Sequence, residues 1–207
     1  EHGAQPMLAS DQRYSLVFNG EIYNYLELRK ELEQKGCHFH TQSDTEVLLQ
    51  LLVHRGESAI ESLNGMFAFV FHDRASNRWI AARDHFGIKP LYFSKTADEL
   101  LFASEVKSLL IHPEIKANRD DHALHQYLAL QFCLDDRTLF DGIQKVKPGH
   151  YLIGQGSRIL EDRCYWDTNY HIDSYHNESY FRDQLLALLQ DSMRLQIRSD
   201  VPLGGYL

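Results

Sequence analysis

A chain of 207 residues is long enough for one substantial domain and the start of another. Its net charge of −8 argues against a broad nucleic-acid footprint, which needs a basic face, and no apolar run approaches the roughly 20 residues that span a bilayer. Three scattered cysteines, Cys37, Cys133 and Cys164, suggest neither a disulfide framework nor a zinc site, and the 12 histidines supply no complete ligand set, so no metal and a reducing, cytoplasmic setting are expected.

In chain order, residues 13–18 are predicted as a buried strand closed by Asn19-Gly20. Asn-Gly by itself marks a tight turn, because both residues tolerate positive φ. Residues 25–35 carry a helical pattern, and Gly36 follows where left-handed backbone is favoured. Residues 37–41 alternate and are expected to form a short strand. Ser43-Asp44-Thr45-Glu46 fits a capping box, with Ser43 capping the helix start and Glu46 reaching back. That helix continues through Val53 and ends near Gly56. A short amphipathic turn over 57–63 leads to a second Asn-Gly turn at Asn64-Gly65.

The next part is strand-rich. Residues 66–71 form a continuous apolar run of strand length, residues 73–77 a hairpin loop and residues 78–82 the returning strand. Residues 90–94 and 100–103 suggest a second hairpin. Short helices are expected at 105–110 and 121–130, and another strand at 149–153. Residues 167–176 are polar and irregular, as in a linker. From 178 to 198 the side chains of Phe181, Leu185, Leu188, Leu189, Met193, Leu195 and Ile197 recur at mostly helical spacing. The organisation expected is therefore a domain over 1–166, a linker over 167–176, and a linker helix with the first residues of a further domain over 177–207. Hairpins with intervening helices indicate an α+β class built on antiparallel sheet.

Several motifs occur in order: Asn19-Gly20-Glu21-Ile22-Tyr23-Asn24, Ser43-Asp44-Thr45-Glu46, Arg83-Asp84-His85-Phe86-Gly87-Ile88-Lys89-Pro90, Phe102-Ala103-Ser104-Glu105, Pro148-Gly149-His150 and Tyr165-Trp166. Together they resemble the class II, N-terminal-nucleophile glutamine amidotransferases, and within them the glutamine-hydrolysing asparagine synthetases. The resemblance implies a four-layer sandwich of two antiparallel sheets flanked by helices, here lacking its N-terminal part. It also implies a chemistry in two halves. An N-terminal Cys, activated by its own α-amino group, attacks the side-chain amide of glutamine and releases ammonia. The ammonia then amidates aspartate, activated with ATP and magnesium, in a second domain.

On that resemblance the Asn19 side chain and the Gly20 backbone N–H form an oxyanion hole, and Glu21 and Asp44 hold the α-ammonium group of glutamine. The nucleophile and an Arg for the substrate carboxylate would precede Glu1, so the chain alone is expected to be inactive. The last residues resemble the approach to an ATP-pyrophosphatase domain, where Leu207 stands closest to nucleotide contacts. No cofactor is expected within the chain, and a homodimer is admitted without being read from the residues. Two other functions fit the same domain: an amidotransferase with a sugar or peptide acceptor, and a non-catalytic glutamine-binding module. Taken singly, Asn19-Gly20 favours a hairpin turn and Asp44 a first-turn acid set against the helix dipole; among the other motifs the pocket roles lead. The 83–90 segment is expected to be structural, an Arg83–Asp84 ion pair with a Gly/Pro-set turn.

Overall fold

The computed structural model describes residues 4–198 and 204. The chain divides into two compact units, Glu1–Asp167 and Thr168–Leu207.

The first unit is organised around β2 (Tyr14–Ile22), whose side chains alternate between two faces. Leu16, Phe18 and Ile22 are buried on one face, while Val17, Asn19 and Glu21 take the other. Antiparallel pairing with β3 (Gly65–Asp73) runs the full length of β2, from Tyr14 opposite Asp73 to Ile22 opposite Gly65. Neither Asn-Gly pair is a turn. Asn19-Gly20 lies within this ladder and Asn64-Gly65 enters it at Gly65, and glycine is needed at both places for close approach: a Cβ on Gly20 would overlap the Met66 carbonyl oxygen, and one on Gly65 the Glu21 carbonyl oxygen.

The large sheet has six strands in the order β1 (Met7–Leu8), β2, β3, β4 (Arg78–Arg83), β8 (His150–Gln155) and β9 (Arg158–Cys164). The small sheet runs β6 (Leu100–Ala103), β5 (Tyr92–Lys95), β7 (Ile143–Lys145). All pairings in both sheets are antiparallel. One face of the large sheet is covered by α1 (Tyr25–Gln34) and α2 (Asp44–Arg55), with Leu32, Leu48 and Leu52 against Leu16, Phe67 and Phe69. The other face packs Ala68, Trp79, Ala81 and Leu152 against Leu91, Phe93 and Phe102 around the small sheet. There Trp79 meets Phe102 edge-on with ring centroids 5.2 Å apart. Beyond the small sheet, Leu109 of α3 (Val106–Leu109) closes over Ile143 and Leu101. Helices, sheet, sheet and helix are stacked in that order, which is the layering expected from the resemblance. A further helix, α4 (Asp121–Leu130), spans the residues predicted for it.

Local signals account for the helix ends. At the end of α1, Gly36 at φ 89° lets its N–H reach Glu33 O while the Cys37 N–H reaches Leu32 O, a Schellman pair. Residues 37–41 are not a strand. The carboxylate of Glu46 takes the N–H groups of His40 (2.9 Å) and Thr41 (2.6 Å), the donors a ladder would have used. The capping box is thus half-formed: Ser43 Oγ accepts from the Thr45 N–H at 3.1 Å, and Glu46 reaches past Ser43. Residues 56–62 make a 3-10 turn (Gly56–Ser62) ahead of β3. Strands β1, β7 and β9 carry no alternating apolar pattern. The first two are very short, and β9 is an edge strand with mostly exposed, charged side chains.

In the second unit, α5 (Glu178–Gln196) is capped by Asn177, whose side chain accepts from the Tyr180 N–H at 3.0 Å. Phe181, Leu185, Leu188, Leu189 and Met193 are exposed on it.

Candidate functional site

The outer edge of β2 collects the backbone groups of alternate residues. Leu16 pairs there with Met7 of β1. At Phe18 the Gln5 side chain stands in for a strand, giving Nε2–H to the Phe18 carbonyl at 2.8 Å and accepting the Phe18 N–H at 2.7 Å. At Ile22 the N–H is taken by Asp44 Oδ2 at 3.0 Å. Gly20 lies between them. Its cross-strand partner Phe67 turns both backbone groups toward Asp84, receiving the Asp84 N–H at 2.8 Å and giving its own N–H to Asp84 Oδ2 at 3.2 Å. Gly20 and Phe67 are therefore a non-hydrogen-bonded pair, and the Gly20 N–H is directed away from β3 along the Gln5–Asp44 edge.

Asp44 is the first residue of α2, so its carboxylate lies at the positive end of the helix dipole. Among the described residues, besides the Ile22 N–H, only the Ser43 and Thr45 hydroxyls approach it, each at 3.4 Å from Oδ1. This contact brings α2 against the end of β2, next to Glu21. Burial and the neighbouring Asp44 charge push the Glu21 carboxyl above its ordinary pKa, and Lys89 offsets part of the rise. The Tyr23 phenol is raised by burial and by Glu21 in turn. Asn19, on the same face of β2 as Glu21, gives its Nδ2–H to Ser104 Oγ at 3.2 Å. Asn19, Glu21 and Asp44 are all half-buried. The structure thus gathers two carboxylates, one side-chain amide and one outward-directed backbone N–H at a single strand end.

The 83–90 segment differs from expectation: Arg83 and Asp84 do not form an ion pair. The guanidinium gives three hydrogen bonds to carbonyls, of Gly87 (2.7 Å), Lys89 (2.8 Å) and Val146 (2.9 Å). The Asp84 carboxylate accepts the N–H groups of Phe67, Phe86, Ile88 and Lys89. Each charge serves one kind of backbone group, and together they knit the loop. Gly149 gives its N–H to Asp84 O at 2.9 Å, the Tyr165 hydroxyl bonds Arg83 O at 2.8 Å, and Trp166 meets His85 and Phe86 edge-on. Motifs far apart in sequence therefore form one scaffold behind Phe67 and Gly20.

Three cavities among the described residues, of about 340, 430 and 270 Å³, are lined by residues other than Asn19, Gly20, Glu21 and Asp44. Among the described residues no three His, Cys, Asp or Glu side chains are grouped as a metal would require. Cys37 Sγ faces His54 Nε2 at 2.9 Å, and Cys164 bonds Trp166 O at 3.3 Å. No described helix is long and apolar enough to cross a membrane. Leu207 lies outside the described residues. Ser104 belonged to a recognisable motif, but nothing local assigned it or Gln5 a partner on β2.

Residues 1–166 match a family described as the glutamine amidotransferase domain. The chain is 40% identical to glutamine-hydrolyzing asparagine synthetase 1 of Bacillus subtilis, over 100% of this chain and 32% of that protein. It is 37% identical to asparagine synthetase 3 of the same organism, over 100% and 34%. Amidase chry2 of Gibberella zeae is 34% identical over 99% of the chain and 30% of its own length. Among solved structures, an allosteric regulatory enzyme of purine biosynthesis superposes with a TM-score of 0.56 at 23% identity, over 81% of this chain and 32% of that one. The B. subtilis glutamine phosphoribosylpyrophosphate amidotransferase gives 0.54 at 22%, over 79% and 32%. These two show a shared fold. The chain spans about a third of the length of the curated relatives it matches.

Proposed function

The chain belongs to the glutamine amidotransferase domain family, and on that premise we propose that the end of β2 and the start of α2 are its glutamine site. The acid pair carries this reading. Burial and the nearby Asp44 charge both raise the Glu21 pKa, and Lys89 offsets only part of the rise, so two adjacent carboxylates are left with a repulsion that a further cation relieves. The α-ammonium group of glutamine is such a cation, and charge-assisted hydrogen bonds to it distinguish an amino acid from a simple amide. The Asn19 amide and the Gly20 N–H then receive the oxygen of the side-chain amide as it gains charge. Each such donor contributes about 3–4 kcal/mol to acyl transfer.

The nucleophile is not one of the three cysteines. None of Cys37, Cys133 and Cys164 begins a chain, so none has an α-amino group as its base. These 207 residues alone are therefore expected to release no ammonia from glutamine. In the longer cytoplasmic protein we place the released ammonia in the ATP- and magnesium-dependent amidation of aspartate to asparagine, by residues beyond this chain. The test is ammonia release from glutamine by the full-length protein. Asn19→Ala lowers kcat by about 100-fold or more. Undiminished release would overturn the assignment.

A further inference from the structure

We propose that Ser104 is the positioning residue that aims the Asn19 amide at the reacting carbonyl, an inference that rests on Asn19 being an oxyanion donor. The two donors differ in what holds them. The Gly20 N–H is part of the backbone, and the β2–β3 register fixes its direction. The Asn19 amide hangs on a side chain whose terminal torsion is broad, so its plane must be set by something outside β2. That partner is the Ser104 hydroxyl, 3.2 Å from Nδ2 and 85 residues away in sequence.

Ser104 is well placed to hold a fixed geometry. It directly follows β6, where Ala103 is in register with Tyr92 of β5. It directly precedes Glu105, the residue that opens α3, and α3 is anchored by the buried Leu109. A strand end on one side and a helix start on the other fix the backbone that carries the hydroxyl. An amide with one N–H committed to Ser104 keeps its second N–H in a set direction. The flipped amide, accepting from the hydroxyl through Oδ1, would leave both N–H groups for the ligand, so either arrangement fixes the plane and presents a donor. Ser104 touches neither Glu21 nor Asp44 in the hydrogen-bond network, so its effect falls on the reacting end of glutamine and not on recognition of the ammonium.

The experiment uses the full-length protein and measures ammonia release from glutamine. Ser104→Ala is expected to lower kcat about tenfold, less than loss of a donor itself, and to leave KM for glutamine within about twofold. Ser104→Thr, which keeps the hydroxyl, restores most of kcat. The double variant Asn19→Ala/Ser104→Ala matches Asn19→Ala alone, because Ser104 acts only through Asn19. If Ser104→Ala unfolds, Ser104→Cys, with a similar volume and a poor hydrogen bond, gives the same comparison. Unchanged kcat in Ser104→Ala, a change confined to KM, or an equal loss in the Asn19→Ala background would each overturn the proposal while the glutamine site stands. Full activity in Asn19→Ala would instead remove the site reading on which it rests.

Discussion

Asp84 and Asp44 are both aspartates bonded to the β2–β3 ladder, and they use their charge in opposite ways. Asp84 is 1% exposed, and four backbone N–H groups fill its carboxylate. A carboxylate has about four lone-pair sites, so no capacity is left for a ligand. Asp44 is half-exposed, accepts one backbone N–H at 3.0 Å and two distant hydroxyls, and has a second acid beside it. A buried carboxylate saturated by backbone is part of the fold. One with unspent capacity next to another acid is prepared for a cation.

Four substitutions break or sharpen that contrast. The largest effect on stability is expected from Asp84→Asn, which turns an NH2 toward donors and strands at least one buried N–H. Each stranded group costs about 1–3 kcal/mol. Scanning calorimetry should show Tm falling by about 10 °C, and an unchanged Tm would remove Asp84 from the scaffold. Asp44→Asn keeps an acceptor for the Ile22 N–H but loses the charge. In the full-length protein its affinity for glutamine should fall at least about 30-fold, the equivalent of about 2 kcal/mol, with Tm nearly constant.

Glu21→Gln separates function from stability by sign. Because burial and Asp44 raise the Glu21 pKa, the folded state binds that proton more tightly than the unfolded state does. Ionised Glu21 therefore costs stability above its folded pKa, and the cost vanishes as pH falls below the unfolded value. Glu21→Gln should unfold no earlier than wild type at pH 8, with any advantage shrinking on acidification, while glutamine binding is weakened throughout. A variant that unfolds earlier at pH 8 would show that Glu21 serves the fold. The smallest effect belongs to Ser43→Ala, a lost helix cap worth about 1 kcal/mol. Its hydroxyl lies 3.4 Å from Asp44, too far to matter much, so glutamine affinity should stay within about twofold.

Periodicity and caps made the helices and hairpins legible. The 121–130 helix, the end of α1 at Gly36 and the two hairpins follow from signals carried within a few residues of each element. The failures share one physical origin. Asn19-Gly20 and Asn64-Gly65 carry the local signature of a turn, but the glycines are demanded by a carbonyl on the neighbouring strand. The alternation at 37–41 suits a strand until Glu46 takes its donors. Arg83 and Asp84 are adjacent and opposite in charge, yet each is better satisfied by backbone groups of a loop whose path the sequence does not show. The residues proposed for the site, Asn19, Gly20, Glu21 and Asp44, came from motif resemblance, and the structure brings them to one strand end. Their supports were not legible: the Gln5 bonds to Phe18, the Asp44 bond to Ile22 and the Ser104 bond to Asn19 exist only once the sheets have packed.

The contrast between the two aspartates is tested most directly by comparing L-glutamine with 4-carbamoylbutanoate, the same molecule without its α-amino group. Calorimetric titration of the full-length protein gives the ratio of the two affinities. Wild type should favour glutamine by at least about 30-fold, the share of a charge-assisted contact, and Asp44→Asn should lose most of that preference. An equal preference in both proteins would contradict the account, because the ammonium group would then be recognised elsewhere.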